Sequence, residues 1–168
     1  RRNKIAEKKY RTLLGVAKVL RFAPFVRMLA VTGRLAMKNT QEKSDLDLMV
    51  VLKHGKIFTG RIIVTLIVHI LGKRRHDGRI ADRVCLNYFI TTKSLEINLK
   101  DIYSSSEYSF MLPIFGFKIF RKFQMKNRWI RNYKVNYGID EIANLKMLKD
   151  GRLIKFIRKV GEGILSFD

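Results

Sequence analysis

The order of three apolar segments in the middle of the chain constrains its fold more than any other feature. Residues 45–52 (DLDLMVVL) and 81–91 (ADRVCLNYFIT) have the composition of buried strands, and the apolar residues 59–72 between them have the length of a helix. A strand, a helix and a strand in this order form a crossover unit, which makes at least part of the sheet parallel. Another strand is predicted over residues 25–32, where an apolar run ends at Gly33.

Helical patterns lie on both sides of this central region. An amphipathic helix is predicted over residues 5–22 and ends before Pro24. Its apolar residues form one stripe, and its basic face is assigned to Lys8, Lys9, Arg11, Lys18 and Arg21. After residue 94 the pattern is helical, with helices predicted over residues 99–111, 117–133 and 140–160.

The length of the chain and the order of these segments predict its class and its organisation. A chain of 168 residues has room for one core with a helical appendage. We predict an α+β protein with α/β-like character, in which a small mixed sheet carries helices on one side. Residues 1–98 are expected to form the sheet domain with its N-terminal helix, and residues 99–168 a basic helical extension.

The cysteine count and the apolar segments exclude two kinds of protein. Cys85 is the only cysteine, which excludes an internal disulfide and favours a cytoplasmic location or an organelle matrix. Its place in a predicted strand indicates a buried, small apolar residue. The longest apolar stretch, Ile62 to Leu71, has ten residues, about half of the ~20 that a membrane-spanning helix needs. We therefore predict a core helix here and no membrane span.

The chain is strongly basic, with 35 Lys and Arg against 14 Asp and Glu and a net charge of +21. The excess is largest in the two flanks, residues 1–30 and 117–168. Basic flanks attract polyanions, so RNA or another polyanion is the leading partner class. The alternative is a solvated basic surface without a specific ligand. An anionic membrane surface is less favoured, because we find no basic amphipathic stretch with the aromatic face that adsorption to a membrane needs.

Two basic clusters are candidates for nucleic-acid contact. The first lies in residues 117–133 and consists of Lys118, Arg121, Lys122, Lys126, Arg128 and Arg131. Aromatic residues alternate with these cations; their helical spacing predicts that they pack in the core while the cations contact phosphate. The second cluster is Lys73, Arg74, Arg75, Arg79 and Arg83, for which an ordinary charged loop is the alternative.

Two carboxylates at the start of a strand form the candidate site. Asp45 and Asp47 are separated by one residue, so they lie on one face of the strand while Leu46 and Leu48 face the core. Such a pair can hold Mg²⁺, which prefers hard oxygen ligands. The alternative is a solvated strand start beside a turn, where Asp is common. Twelve positions before Asp45, Gly33 precedes a predicted helix start whose backbone N–H groups suit a phosphate.

A known family has a similar pattern. The matching residues are Gly33, then Ser44, Asp45, Leu46 and Asp47, then the apolar Leu48, Met49, Val50 and Val51. This pattern resembles the signature of the nucleotidyltransferase superfamily, which includes the DNA polymerase beta type, the minimal bacterial nucleotidyltransferases and the aminoglycoside nucleotidyltransferases. The longer stretch over residues 24–92 is similar to a bacterial family of uncharacterised nucleotidyltransferase-domain proteins.

The resemblance implies a fold, an activity and a set of site residues. The fold is the small mixed sheet with a crossover helix of the nucleotidyltransferases. The activity is Mg²⁺-dependent transfer of a nucleoside monophosphate from a nucleoside triphosphate to a hydroxyl acceptor, with release of pyrophosphate. Asp45 and Asp47 would be the catalytic residues and would hold two Mg²⁺ ions. Gly33, Arg34 and Ser44 would bind the phosphates of the nucleotide.

The sequence departs from the family pattern at three positions. Arg34 replaces the serine that follows the glycine, and Lys38 replaces a later glycine. Asn87 stands where the family has its third carboxylate, and an amide binds a hard cation weakly and cannot accept the proton of an attacking hydroxyl. Carboxylates that could substitute for it are Asp82, Glu96 and Glu107. The sequence therefore leaves two hypotheses open: an active nucleotidyltransferase, or the same fold with a degraded site that acts as an RNA-binding or ribonucleoprotein component.

Overall fold

The structure, a computed structural model, describes residues 2–76, 78–137 and 147–166, and the side chain of Asn87 is outside this description. The helices are α1 (Arg2–Leu20), α2 (Gly33–Ala36), α3 (Ile57–Ile70), α4 (Ile102–Ser109), α5 (Phe117–Lys126) and α6 (Arg152–Ile164), with a 3₁₀ helix at Arg128–Asn132. The strands are β1 (Val26–Val31), β2 (Leu46–Leu52), β3 (Val84–Thr91) and β4 (Leu112–Phe115).

The four strands form one mixed sheet in the order β3-β2-β1-β4. Strand β1 is antiparallel to both of its neighbours, β2 and β4. Strands β2 and β3 are parallel, and α3 connects them as the predicted crossover helix. The prediction of an α+β protein with a mixed sheet is therefore confirmed.

Helices cover both faces of the sheet, whereas we predicted them on one side. On one face, Leu46, Leu48 and Val50 of β2 belong to a core shared with α1 and α3. On the other face, Met49 and Val51 belong to a second core, which includes buried residues of α4 and α5. The physical reason is that both faces of β2 are apolar, so each face needs a cover.

Strand β4 was missed, because the region after residue 94 has a helical pattern. The strand has only four residues and contains Pro113, which lacks a backbone donor and is tolerated at a sheet edge. Pro113 is paired with Ala30 of β1. Gly116 then turns the chain with a φ of 80°, where a Cβ would collide with the backbone of Arg27. The predicted helical extension thus contributes an edge strand to the sheet.

The helix predicted over residues 117–133 ends early, at a buried asparagine. Asn127 is fully buried, and its side-chain amide donates to Leu95 O and Phe123 O, each at 2.8 Å. Its side-chain oxygen accepts from the backbone N–H of Ile97 at 2.8 Å and from the indole of Trp129 at 3.0 Å. This network ties the loop after β3 to α5. The helix predicted over residues 140–160 lies partly outside the described residues.

The crossover helix α3 is less buried than a core helix. Gly60, Val64 and Val68 are its buried residues, while its opposite face exposes Phe58, Ile62, Leu66 and Ile70. The prediction of a core helix was therefore wrong for half of its surface. Gly72 ends the helix with a φ of 62°, as predicted. Among the described residues, no helix is long and apolar enough to cross a membrane.

Candidate functional site

The structure places the two carboxylates next to Gly33. Asp45 directly precedes β2 and Asp47 is its second residue, while Leu46 and Leu48 are fully buried in the core, as predicted. Gly33 follows β1, the antiparallel neighbour of β2, and has a φ of 63°. A Cβ at this position would collide with the carboxylate of Asp47 and would lie 3.1 Å from its Cγ. Gly33 therefore has two physical reasons to be glycine, its left-handed backbone and this close approach.

A third side chain joins the two carboxylates. Cys85 of β3 pairs with Asp47 of β2, and one ligand atom each from Asp45, Asp47 and Cys85 lie within 4.8 Å of one another. Cys85 is half-buried beside carboxylates, so it is not the buried apolar residue we predicted. The sequence had proposed Asn87 for the third position, but Cys85 is the residue of β3 that is paired with Asp47.

Arg75 also belongs to this site. Its Nη1 atom lies 2.5 Å from Asp45 Oδ2 and 3.7 Å from Cys85 Sγ. Residues 73–75 run beside the start of β3. Two backbone hydrogen bonds hold them there: Val84 N donates to Lys73 O at 2.7 Å, and Arg75 N donates to Val84 O at 3.1 Å. The second basic cluster is therefore split: Arg75 pairs with a site carboxylate, Arg74 is exposed and Lys73 is half-buried.

The site concentrates negative charge. Burial raises the pKa of Asp47 to about 6, and the nearby carboxylates of Asp45 and Glu107 add to this effect, while Arg75 opposes it. Burial also raises the pKa of Glu107 on α4 and of the Cys85 thiol. A carboxylate in such surroundings gains stability when a cation approaches it.

Asn87 stands where the family has its third carboxylate, and the three candidates to replace that carboxylate have different surroundings. Asp82 pairs with Lys9 at 2.7 Å, and Glu96 pairs with Lys100 at 2.6 Å. Glu107 is the one whose charge acts on Asp47. Its carboxylate is nevertheless outside the cluster of Asp45, Asp47 and Cys85 among the residues that the structure describes.

Lys9 holds the loop that precedes the carboxylates. Its side chain is 2% exposed, and its Nζ donates to Glu42 O at 3.0 Å and to Ser44 O and Asp82 Oδ1, each at 2.7 Å. The sequence placed Lys9 on the solvated basic face of α1, which was wrong. A buried ammonium is stable here because three oxygen acceptors surround it.

Ser44 has a role in the same turn. Its hydroxyl oxygen accepts from Gln41 N at 3.1 Å, and its own N–H donates to Gln41 O at 3.1 Å. These bonds close the turn immediately before Asp45. Its predicted contact with phosphate stays a prediction.

Arg34 and Lys38, the two departures beside Gly33, have clear structural settings. Helix α2 is a single turn, and the side chain of Arg34 is exposed on it. Lys38 has a φ of 53°, a left-handed conformation that costs a residue with a Cβ about 1–2 kcal/mol. The glycine that the family pattern has at this position is thus the residue that the backbone favours.

Lys38→Gly is therefore expected to stabilise the protein. The left-handed φ is strained for lysine and relaxed for glycine, but glycine also makes the unfolded chain more flexible, so the net gain is about 0.5–1 kcal/mol. Urea unfolding of the two proteins measures it. Lys43→Gly is the matched control. Lys43 is a described residue whose φ is not left-handed, so the same change should destabilise the folded protein there. A loss of stability in Lys38→Gly would contradict this account.

A cleft beside the site is lined by cations. Its volume is about 480 Å³, and its polar lining includes Arg61, Arg74, Arg75 and His76. Arg75 and Cys85 line both this cleft and the carboxylate cluster. The guanidinium of Arg61 lies over the ring of Phe89, 5.5 Å from its centroid. An anion in this cleft would contact several guanidinium groups next to Asp45.

The basic residues of α5 and the 3₁₀ helix are arranged as predicted. Phe120 and Phe123 are buried in the core, as predicted, but Tyr133 is 45% exposed, so the prediction was wrong for that residue. The cations are exposed; they are Lys118, Arg121, Lys122, Lys126, Arg128 and Arg131. Arg131 also donates through Nε to Tyr137 O at 3.0 Å. Contact of this surface with RNA stays a prediction.

The chemistry of the cluster fits one divalent cation. Two carboxylates are hard ligands for Mg²⁺ or Mn²⁺, and the thiol of Cys85 is a softer ligand that suits a transition metal better. Arg75 already places a positive charge against Asp45, so a metal ion would compete with it. Comparisons with known proteins add nothing further, since no family model, curated protein or solved structure matches this chain.

Proposed function

We propose that this chain is a nucleotidyltransferase-fold protein that transfers a nucleoside monophosphate from a nucleoside triphosphate to a hydroxyl acceptor. The observation that carries the proposal is the cluster of Asp45, Asp47 and Cys85 at the start of β2, with Gly33 packed against the carboxylate of Asp47. The mixed sheet with a parallel crossover unit is the setting that such a site needs. We place the protein in the cytoplasm or an organelle matrix, because its single cysteine suits a reducing compartment.

In this proposal Asp45 and Asp47 would hold Mg²⁺, which would supply positive charge to the triphosphate and to the oxygens of a phosphoryl displacement. Gly33 lets the backbone approach the carboxylate of Asp47 closely, since a Cβ at this position would collide with it. Arg34 is exposed at the adjacent turn, where its guanidinium can bind a phosphate oxygen. Ser44 closes the turn that positions Asp45.

The test is nucleotide binding and transfer with each of the four ribonucleoside triphosphates. We expect one or more of them to bind in the presence of Mg²⁺ and to lose affinity when EDTA removes the metal. Transfer is then measured with α-³²P-labelled nucleotides and RNA or protein as the acceptor. Asp45→Asn should abolish the transfer, and Glu96→Gln, a carboxylate outside the cluster, should leave it unchanged. Absence of Mg²⁺-dependent binding for all four nucleotides would refute the catalytic proposal.

A second candidate function is RNA binding by a degraded site. The observations that favour it are the ion pair of Arg75 with Asp45 and the presence of Cys85, instead of a third carboxylate, opposite Asp47. Here Arg75 supplies the positive charge that a metal would otherwise supply. The exposed cations of α5 and the arginines of the cleft would then bind the phosphates of RNA.

Arg75→Gln distinguishes the two candidates. In the active site that we propose, the guanidinium of Arg75 competes with the metal for Asp45, so its removal is expected to raise Mn²⁺ affinity about fivefold. Isothermal titration measures the affinity. Arg74→Gln is the matched control, since Arg74 lines the same cleft without an ion pair to Asp45 in the described structure. Unchanged Mn²⁺ affinity in Arg75→Gln would favour the degraded site.

RNA binding, in either candidate, is expected to weaken steeply with salt. Several Lys and Arg side chains on α5 would release counterions from the phosphates, and six such contacts reduce affinity roughly a thousandfold between about 50 and 200 mM salt. Fluorescence anisotropy with a single-stranded RNA oligonucleotide measures this slope. Replacing Lys118, Arg121 and Lys122 with glutamine should make the slope shallower by about three contacts. A slope that does not change would place the RNA elsewhere.

A further inference from the structure

Helix α6 turns an apolar stripe toward solvent. The stripe consists of Leu153, Phe156, Ile157, Val160 and Ile164, which recur at helical spacing along one side of the helix. Leu153, Phe156 and Ile164 are 67%, 65% and 62% exposed. Single exposed apolar residues are ordinary, but five in one continuous row form a patch that marks an interaction surface.

The other side of α6 is fixed to the protein, so this orientation is set by specific contacts. Arg158 is buried and donates to Asp150 at 2.9 and 3.0 Å and to Arg21 O at 3.0 Å. Glu162 accepts from Arg27 at 2.7 and 3.0 Å and from Phe25 N at 3.1 Å. These bonds hold polar residues of α6 inward, and the stripe consequently faces outward.

Three cations flank the stripe. Arg152, Lys155 and Lys159 are all exposed, and their helical positions place them on one side of the helix, between the stripe and the buried face. A cation beside an apolar stripe can extend its charged end to the headgroup level while its hydrocarbon stem stays at the apolar boundary. The helix thus has both parts of an interfacial helix, an apolar side that includes an aromatic residue and a basic flank.

We propose that α6 lies on an anionic lipid surface, with the stripe in the headgroup boundary and the three cations on lipid phosphates. The net charge of +21 attracts the whole molecule to such a surface. RNA does not explain the stripe, because a phosphate backbone offers no apolar contact along a helix. Our sequence analysis found no basic stretch with an aromatic face, and α6 with Phe156 corrects it. The inference does not depend on the proposed nucleotidyl transfer.

Vesicle binding tests the proposal with the full chain. In co-sedimentation, vesicles of phosphatidylcholine with about 30 mol% phosphatidylglycerol are expected to retain the protein at least about tenfold more strongly than pure phosphatidylcholine vesicles. The variant Leu153→Ser with Phe156→Ser should reduce this retention about tenfold or more. Its circular dichroism should be unchanged, because both side chains are exposed. Lys155→Gln with Lys159→Gln should weaken retention mainly at low salt, and it tests the same surface without altering the stripe.

The exposed face of α3 supplies the matched control. Phe58 and Ile62 are 82% and 67% exposed on a different helix, so Phe58→Ser with Ile62→Ser removes similar apolar area. The proposal would be overturned if the α3 variant lost its retention by the vesicles while the α6 variant kept it. Equal retention by both kinds of vesicle would also overturn it. A dimer in sedimentation equilibrium that Leu153→Ser with Phe156→Ser disperses would assign the stripe to a second copy of the chain, and loss of RNA binding in that variant would assign it to RNA.

Discussion

Asp47→Asn is expected to abolish divalent-cation binding at the carboxylate cluster and, at the same time, to stabilise the metal-free protein. The two effects have one cause, since burial and the charges of Asp45 and Glu107 disfavour the ionised form of Asp47. Removing the charge relieves this cost, and it also removes a hard oxygen ligand. A change that inactivates the site would thus strengthen the fold.

The sign of the stability effect follows from the pKa. Asp47 has an ordinary value of 3.8 in the unfolded chain and a pKa of about 6 in the folded protein. The folded state therefore binds the proton more tightly, so this group stabilises the fold below pH 4 and loses that contribution as the pH rises to about 6. Asparagine does not titrate. We expect Asp47→Asn to be more stable than the wild type above pH 6 by about 1–2 kcal/mol, allowing for the partial exposure of the carboxyl.

Thermal unfolding with and without Mn²⁺ measures both effects. At about 100 times its dissociation constant, a bound ion stabilises the wild type by about 2.7 kcal/mol and leaves Asp47→Asn unchanged. Glu96→Gln is the control. Glu96 is an exposed carboxylate whose ion-pair partner is Lys100, a residue outside the carboxylate cluster. A rise in melting temperature with Mn²⁺ in Asp47→Asn would show that the ion binds elsewhere. If Asp47→Asn were less stable than the wild type above pH 6, the folded state would not disfavour the ionised form of Asp47.

The sequence predicts the part of this molecule that depends on local pattern. The period of two in residues 45–48 placed Asp45 and Asp47 on one face and the leucines in the core. Strand, helix and strand in succession predicted a parallel pair. Each of these inferences needs only neighbouring residues and one rule of chain connection.

The remaining features depend on contacts between distant segments. Cys85 reaches Asp47 only through the register of β2 and β3, and Arg75 reaches Asp45 because residues 73–75 run beside β3. Strand β4 is too short to have a pattern of its own, and it exists because β1 offers it an edge. The stripe of α6 faces outward because Arg158 and Glu162 are bound inward, which the spacing of apolar residues cannot reveal.

Lys9 is the clearest of these nonlocal features. By its place among other cations of α1 it is a surface residue, yet its ammonium is enclosed by two carbonyl oxygens from the turn before Asp45 and by the carboxylate of Asp82. Asp82 has a φ of 56°, so this ion pair also holds a left-handed residue in the turn before β3. One lysine thus joins α1 to the turns that lead into both site strands.

Lys9→Met is therefore expected to cause the largest loss of stability of the substitutions considered. Methionine retains much of the apolar stem and removes the ammonium, which leaves two carbonyl oxygens and a carboxylate without their shared donor. The expected loss is about 2–4 kcal/mol, or roughly 4–16 °C in melting temperature for a chain of this length. Lys8→Met, on the exposed side of the same helix, should change stability by less than about 0.5 kcal/mol.

The ion pair can be separated from the carbonyl contacts by a double-mutant cycle. If Lys9 acts largely through Asp82, Asp82→Asn should be destabilising alone and should add less than its full effect to Lys9→Met. The turn that contains Ser44 should loosen in Lys9→Met, so Mn²⁺ affinity at Asp45 should also fall, although Lys9 does not touch the cluster in the described structure. Urea unfolding and Mn²⁺ titration of the four proteins provide the values. A loss in Lys9→Met no larger than that in Lys8→Met would mean that solvent replaces the ammonium without cost, and the turns before β2 and β3 would then need another explanation for their order.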